Sequence, residues 1–281
     1  VLGGIAGAIA SRLLKVPLLV ELHGVELSRK GSGGIKGRFT RWLARKIYRH
    51  AAVIRVLSPR MRNELIRIAP NIPPGRIQVL APRVDLGVFE PKSEWSCPGK
   101  LCVVMVGSVI KRKGQLRAIQ ALGKSNTPLR LWIIGDGPDM ALCKLEANKF
   151  SDTLEVTFFG QLPPQKVADR LRSADVFLMN SLHEGTPRAI MEAMAMGLPV
   201  ISTDAGYCAD IVDHESTGFI IPTLNNEGDL ERYLEYLIED VDLRCRLGKA
   251  GMARAKHDFE AKNNFERYRA IISGMIEDVE R

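Results

Sequence analysis

The sequence predicts an α/β protein of two domains built on parallel sheets, and three observations carry that expectation. Six apolar runs of strand length alternate with helical stretches between Leu101 and Pro222. Those runs are continuous in apolar character rather than alternating in polarity, as strands buried on both faces of a parallel sheet must be. A length of 281 residues exceeds one small module and suits two ordinary domains, each able to bury a core. With 46% hydrophobic and 26% charged residues the chain has the balance of a globular protein, which excludes the disordered and fibrous classes. No apolar run approaches the roughly 18 residues of a membrane span. The opening VLGGIAGAIA lacks a basic leader and reads as a helix rather than a signal peptide, so the expected location is cytoplasmic.

The elements follow in order. Residues 2–14 read as a helix whose Leu13 and Leu14 face a sheet, and Pro17 to His23 as a buried strand halted by Gly24. After the Gly-rich basic loop SRKGSGGIKGR, residues 36–50 form a basic helix with Phe39, Trp42, Leu43 and Ile47 at helical spacing. AAVIRVLS is a strand, residues 61–69 a helix and RIQVLAP a strand, and Pro91 to Pro98 has neither period and reads as a linker. The regular part then runs LCVVMVG, a helix from about Lys113, LRLWIIG, a helix over 138–149, LEVTFFG, a helix over 164–173, ADVFLMN, a helix over 187–196, PVIST and GFIIP. Beyond Asp229 the chain is helical, with Phe259, Phe265 and Tyr268 as the bulky contacts of its last segment.

Charge is uneven: residues 1–97 hold 17 Lys and Arg against 6 Asp and Glu, and residues 98–281 hold 23 against 26. A basic first third fits phosphate groups, an acidic lipid surface or nucleic acid as partner, and equally a basic surface with no partner. The five cysteines, Cys97, Cys102, Cys143, Cys208 and Cys245, are an odd number with no C-x-x-C pair and read as reduced thiols.

Ligands of parallel sheets bind beyond the carboxyl ends of the strands, and the chemical motifs fall there. In HEGTPRAIMEAMAMGLPVIST, Glu184 precedes Pro187, a residue favoured in a helix's first turn, and Glu192 lies inside that helix. Both carboxylates are expected to point into one cleft, about two turns apart. Gly185 and Thr186 place unpaired N–H groups at the helix start, where a diphosphate can sit. In VGSVIKRKGQ the strand ends at Gly107 and Ser108, and Lys111, Arg112 and Lys113 can neutralise a departing phosphate. Gly135 and Gly137 flank Asp136 in a third turn, ordinary by itself and the rim of a nucleotide pocket as part of the set.

Together with ELHG at 21–24, VDLGVFEP at 84–91 and IGDGP at 134–138, these segments resemble the retaining nucleotide-sugar glycosyltransferases of glycosyltransferase family 4. The resemblance implies the GT-B fold, two Rossmann-like domains, here with residues 1–90 as the second half of an N-terminal acceptor domain and 91–98 as linker. Residues 99–256 would be the donor-binding domain and 257–281 a helix packing back toward the first. It implies transfer of a sugar from a nucleotide diphosphate-sugar to a carbohydrate or lipid-linked acceptor, with retention of configuration and no cofactor. Glu184 would contact the donor sugar, Glu192 the ribose, Lys113 the diphosphate, and His23 the sugar or acceptor; Glu184, Lys113 and His23 would be the catalytic set.

Three departures stand out: Ser108 where the family has arginine, Pro82-Arg83 where it has Asn-Gly, and Gly206-Tyr207 where it has Gly-Gly. The strand–helix units that open the family's N-terminal domain do not precede Val1, so a fragment, or a chain that needs a partner, is expected. The rival function is accordingly a non-catalytic donor-binding part. GGIAGA at residues 3–8 follows no strand and reads as close helix packing, and Asp240-Val241-Asp242 reads as a solvated face, so no metal is expected. The helix over 36–50 has few aromatics among its charges and no nucleic-acid module around it; its stripe of Phe39, Trp42, Leu43 and Ile47 reads either as core or as a seat on an anionic membrane surface, at the inner face of a membrane.

Overall fold

The computed structural model describes residues 2–23, 35–91, 99–222 and 227–280. Residues 28–34 of the Gly-rich loop and residues 92–98 of the linker, with Cys97, lie outside these. The chain divides into two compact units, residues 1–82 with 261–281, and residues 83–260.

In the first unit, helix α1 (Leu2–Leu14) precedes strand β1 (Leu19–Glu21), helix α2 (Ile35–His50), strand β2 (Val53–Val56), helix α3 (Pro59–Ile68) and strand β3 (Ile77–Val79). The three strands form a parallel sheet in chain order. Helix α3 starts where sequence logic puts a start, with Ser58 Oγ accepting from Met61 N at 3.1 Å and proline in the next position. Arg55 ties the sheet together, donating to Glu21 and to the carbonyls of Leu80 and Ala81, with its guanidinium 5.5 Å from the Tyr268 ring.

Helix α1 departs from expectation. Leu13 and Leu14 do not face a sheet but are 77% and 70% exposed. The inward face is made of small residues: a Cβ at Gly4 would meet Ile47, one at Gly7 would meet Leu18, and Ser11 bonds the carbonyl of Val16. Close approach on that side leaves Leu13, about half a helical circumference away, in solvent, and Leu14, the last residue of the helix, is exposed as well. Helix α2 likewise divides its apolar stripe, with Ile47 buried while Phe39 and Trp42 are exposed. In helix α11 (Ala261–Glu280), expected to bury Phe265, that ring is exposed and Tyr268 makes the contact through Arg55.

The second unit holds strand β4 (Cys102–Val106), a 3₁₀ turn over Lys111–Lys113, helix α4 (Gln115–Gly123), strand β5 (Leu129–Ile134), helix α5 (Met140–Asn148), strand β6 (Leu154–Gly160) and helix α6 (Pro164–Arg172). Strand β7 (Val176–Met179), helix α7 (Arg188–Ala195), strand β8 (Val200–Thr203), helix α8 (Cys208–Ile211) and strand β9 (Gly218–Ile221) follow. Helices α9 (Glu227–Glu239) and α10 (Val241–Arg254) and a π turn, Ala255–Phe259, complete the unit. All six strands are parallel, in the order β6-β5-β4-β7-β8-β9. Consecutive residues such as Val103 and Val104, or Phe177 and Leu178, are buried alike, because helices cover both faces.

The strand order fixes where chemistry can occur. The chain lays β5 and β6 to one side of β4, then returns to place β7 on the other. Loops leaving the carboxyl ends of β4 and β7 therefore diverge from neighbouring strands, the arrangement that opens a crevice in a doubly wound sheet.

Candidate active site

The β4 and β7 loops meet in that crevice, and their side chains are bonded to each other. Lys113 Nζ lies 2.7 Å from Glu184 Oε1 and 2.9 Å from Oε2. Ser181 Oγ donates to Glu184 Oε1 at 2.6 Å. The carboxylate is 5% exposed and the lysine side chain 19%, so the pair sits at the inner edge of the crevice, reachable through the lysine.

The backbone around this pair is zipped. Leu182 N donates to Arg112 O at 2.7 Å, Arg112 Nη1 to His183 O at 3.2 Å, and Arg117 Nη2 to the carbonyl of Asn180. Gly114 stands so close to the loop that a Cβ there would be 1.9 Å from the Asn180 carbonyl oxygen. From the other side Tyr207 N donates to Gly185 O at 3.3 Å, and a Cβ at Gly206 would be 1.9 Å from the Glu184 carbonyl oxygen. Residues 180–185 are thus held between the β4 loop and the β8 loop.

The other expected residues occupy the same end of the sheet. Gly107 N donates to Ile134 O, and Gly135 packs its backbone against the Gly107 carbonyl. Gly137 N is held by Asp136 Oδ1 at 2.7 Å, and Val109 N donates to Asp136 O at 2.9 Å. Ser108 and Lys111 are exposed. The Lys113 side chain runs past Gly107. Thr186 Oγ1 is buried with no hydrogen-bond partner among the described residues.

Two expectations change. Pro187 is not inside α7 but caps it, in extended backbone with φ −76° and ψ 106°, so the helix begins at Arg188. Glu184 belongs to the loop before the helix and Glu192 is the fifth helical residue. Similarly, the helix expected from Lys113 starts at Gln115, because Lys111–Lys113 winds as a tighter turn before Gly114. Arg112, expected with Lys111 and Lys113 to neutralise a departing phosphate, is exposed and donates from Nη1 to the His183 carbonyl.

Glu192 is half-buried, 3.8 Å from Arg188, and burial pushes its carboxyl above the ordinary glutamate range while Arg188 pulls it down. Burial pushes the Cys208 thiol up to about 12, opposed by a bond from Ser202 and reinforced by the Glu184 and Asp204 carboxylates. His23 follows β1 in the first unit, exposed, with Nε2 3.9 Å from Glu21. Among the described residues no group of three or more His, Cys, Asp or Glu could hold a metal ion. Sequence reasoning gave no role to Ser181, Arg117 or Thr203: none belongs to a periodic pattern, Ser181 lies three residues before Glu184 in the same loop, and only the strand order brings Arg117 and Thr203 to the carbonyls of Asn180 and Ser181.

Comparison with known proteins identifies the family and the fold. The family pattern described as Glycosyl transferases group 1 matches residues 90–254, and the one described as Glycosyl transferase 4-like domain matches residues 1–83. Alpha-maltose-1-phosphate synthase of Mycolicibacterium smegmatis is 25% identical over 296 residues, covering 95% of this chain and 76% of that protein. GDP-mannose-dependent alpha-mannosyltransferase of Mycobacterium tuberculosis is 30% identical over 200 residues, covering 68% of this chain and 50% of that protein. The chain thus spans between half and about three quarters of these relatives' lengths. The crystal structure of Anabaena Alr3699/HepE in complex with UDP and glucose shares the fold, with a TM-score of 0.80 at 20% identity over 96% of this chain and 75% of that one.

Proposed function

The chain belongs to the glycosyl transferases of group 1, and from that premise we propose that it moves a sugar from a nucleoside diphosphate-sugar to an acceptor hydroxyl with retention of configuration. The observation that carries the reading is the buried Lys113–Glu184–Ser181 cluster at the β4/β7 crevice. Departure of a diphosphate leaves positive charge on the sugar ring and negative charge on the phosphates, and a preorganised site meets each with its opposite. Lys113, Lys111 and the N–H groups at Gly185 and Thr186 serve the phosphates, with Gly107, Ser108, Gly135 and Gly137 lining their approach and no metal in the scheme. Glu184 faces the sugar, and Glu192 the ribose hydroxyls. His23 of the first unit is assigned to the sugar or acceptor. Names of relatives support a nucleotide-linked donor, one being GDP-mannose-dependent and the HepE structure holding UDP and glucose.

Thermal-shift screening against UDP-glucose, GDP-mannose, UDP and GDP, followed by turnover with candidate acceptors, tests the proposal. Binding with turnover supports it. Binding without turnover supports the non-catalytic reading instead, and the absence of any shift counts against both.

Glu192 gives a pH-dependent expectation. Its folded carboxyl titrates above its unfolded one, so the native state favours the proton. The stability it contributes is full at low pH and is lost as pH rises through the raised value. At neutral pH the buried charge is a cost kept for the ligand. Glu192→Gln should therefore raise Tm at pH 7, raise it little at pH 4, and weaken UDP or GDP binding about 10–100-fold, the range of one charge-assisted hydrogen bond. Calorimetry on the two proteins checks both arms.

Among the described residues no helix is long and apolar enough to cross a membrane. We assign residues 36–50 to an anionic membrane surface, and a lipid-linked or carbohydrate acceptor to the same lobe. On α2 Phe39 and Trp42 are exposed and stacked at 5.9 Å, Lys46 lies 5.5 Å over the Trp42 ring, and Arg38, Arg45 and Arg49 are exposed with no acidic residue on the helix. Aromatic rings among cations suit a headgroup layer. Sedimentation with phosphatidylglycerol vesicles should fall when salt rises from about 0.1 to about 1 M, where the screening length drops from about 10 to about 3 Å. It should fall also in Trp42→Ala and in Arg45→Gln/Arg49→Gln; indifference to all three removes the assignment.

A further inference from the structure

We propose that Ser181 is a positioning residue for Glu184, an inference that rests on the donor-site reading above. Its hydroxyl is 2.6 Å from Glu184 Oε1, and the serine is fully buried. The alternative acceptor within reach, Met179 Sδ at 3.2 Å, is weak beside a carboxylate. The serine is itself fixed, because Thr203 Oγ1 at the end of β8 donates to its carbonyl at 2.7 Å. A line of contacts therefore runs from β8 through Ser181 to one oxygen of the glutamate.

That line matters because Lys113 has two claims on it. Its ammonium grips both Glu184 oxygens. A diphosphate in the crevice competes for the same Nζ, and as the lysine turns toward phosphate the carboxylate loses its strongest partner while remaining buried. Leaving a buried charge without donors is costly. The other charged or titratable groups facing it supply no substitute. Arg112 is engaged with the His183 carbonyl, and the Cys208 thiol stays protonated. Among the described residues Ser181 is the one donor left to Glu184, and by holding Oε1 it leaves Oε2 for a sugar hydroxyl.

A double-mutant cycle tests this. The parent chain, Ser181→Ala, Glu184→Ala, their double variant and Glu184→Gln are titrated with UDP-glucose, GDP-mannose, UDP and GDP by calorimetry, with donor turnover and thermal unfolding measured on the same samples. Expected for Ser181→Ala is about tenfold weaker binding of the accepted nucleotide-sugar and about tenfold lower kcat. UDP or GDP affinity should stay within about twofold, because the serine acts on the sugar end. On the Glu184→Ala background, which has no acceptor for the serine, the serine change should cost little more, since the two share one interaction. Independent costs that multiply in the double variant, or a parent-like Ser181→Ala beside a crippled Glu184→Gln, would overturn the proposal. A parent-like Glu184→Ala would overturn the donor-site reading itself.

Discussion

Alanine in place of Glu184 is expected to lower turnover about 10²–10³-fold, or about 2.7–4 kcal/mol of barrier, the loss seen when one preorganised electrostatic group is removed. The magnitude follows from the setting. The carboxylate is 5% exposed, fixed by Lys113 and Ser181, and carried on a loop clamped from two sides, so nothing needs to reorganise as charge develops on the sugar. A partly dry crevice also strengthens each interaction relative to water. Two variants separate charge from shape. Glu184→Gln keeps the volume and an acceptor for Ser181 but removes the charge. If charge is the working property, glutamine falls nearly as far as alanine; if a hydrogen bond alone were needed, it would retain most of the activity. Either change frees Lys113, so UDP and GDP affinity should hold or rise while kcat falls. Near-normal turnover of Glu184→Ala, measured as nucleoside diphosphate release, would remove Glu184 from its proposed role.

Much of this architecture could be read from residues because a parallel sheet covered on both faces demands continuous apolar runs, and LCVVMVG, LRLWII and ADVFLMN have them. The same logic misled at α1. There Leu13 and Leu14 look like core by composition, whereas the packing face is Gly4, Gly7 and Ser11, whose value is the absence of bulk. Phe265 failed for a related reason, since apolar size alone does not say which side of a helix has a neighbour. At the site, Lys113 and Glu184 each stood out as residue types at strand ends, but their 2.7 Å contact depends on β4 lying beside β7. No local pattern contains that adjacency, because 71 residues separate the two side chains. Ser181 was hidden more deeply: a serine ending an apolar strand has no period, and its significance is one oxygen of another residue.

The clamp around that oxygen yields the second large effect. Gly206→Ala is expected to destabilise the second unit by about 3–5 kcal/mol, at the upper end for single changes, and to reduce kcat with it. Two costs combine. Gly206 has φ +63°, where a side chain carries a strain of about 1–2 kcal/mol. In addition its Cβ would stand 1.9 Å from the Glu184 carbonyl oxygen, a backbone atom that cannot swing aside as a flexible side chain would. Relief requires the 184–185 backbone to move, and Glu184 moves with it. Gly160 separates the terms, since its φ is +66° but nothing lies within 4 Å of an added Cβ. Gly160→Ala should therefore lose only the conformational part, about 2–4 °C in Tm per kcal/mol, and keep full turnover. Gly206→Ala should lose several times as much and should bind intact nucleotide-sugar less well relative to UDP or GDP. Equal Tm losses in the two variants would mean that the loop yields freely on its β8 side, and that Glu184 is positioned from the β4 side alone.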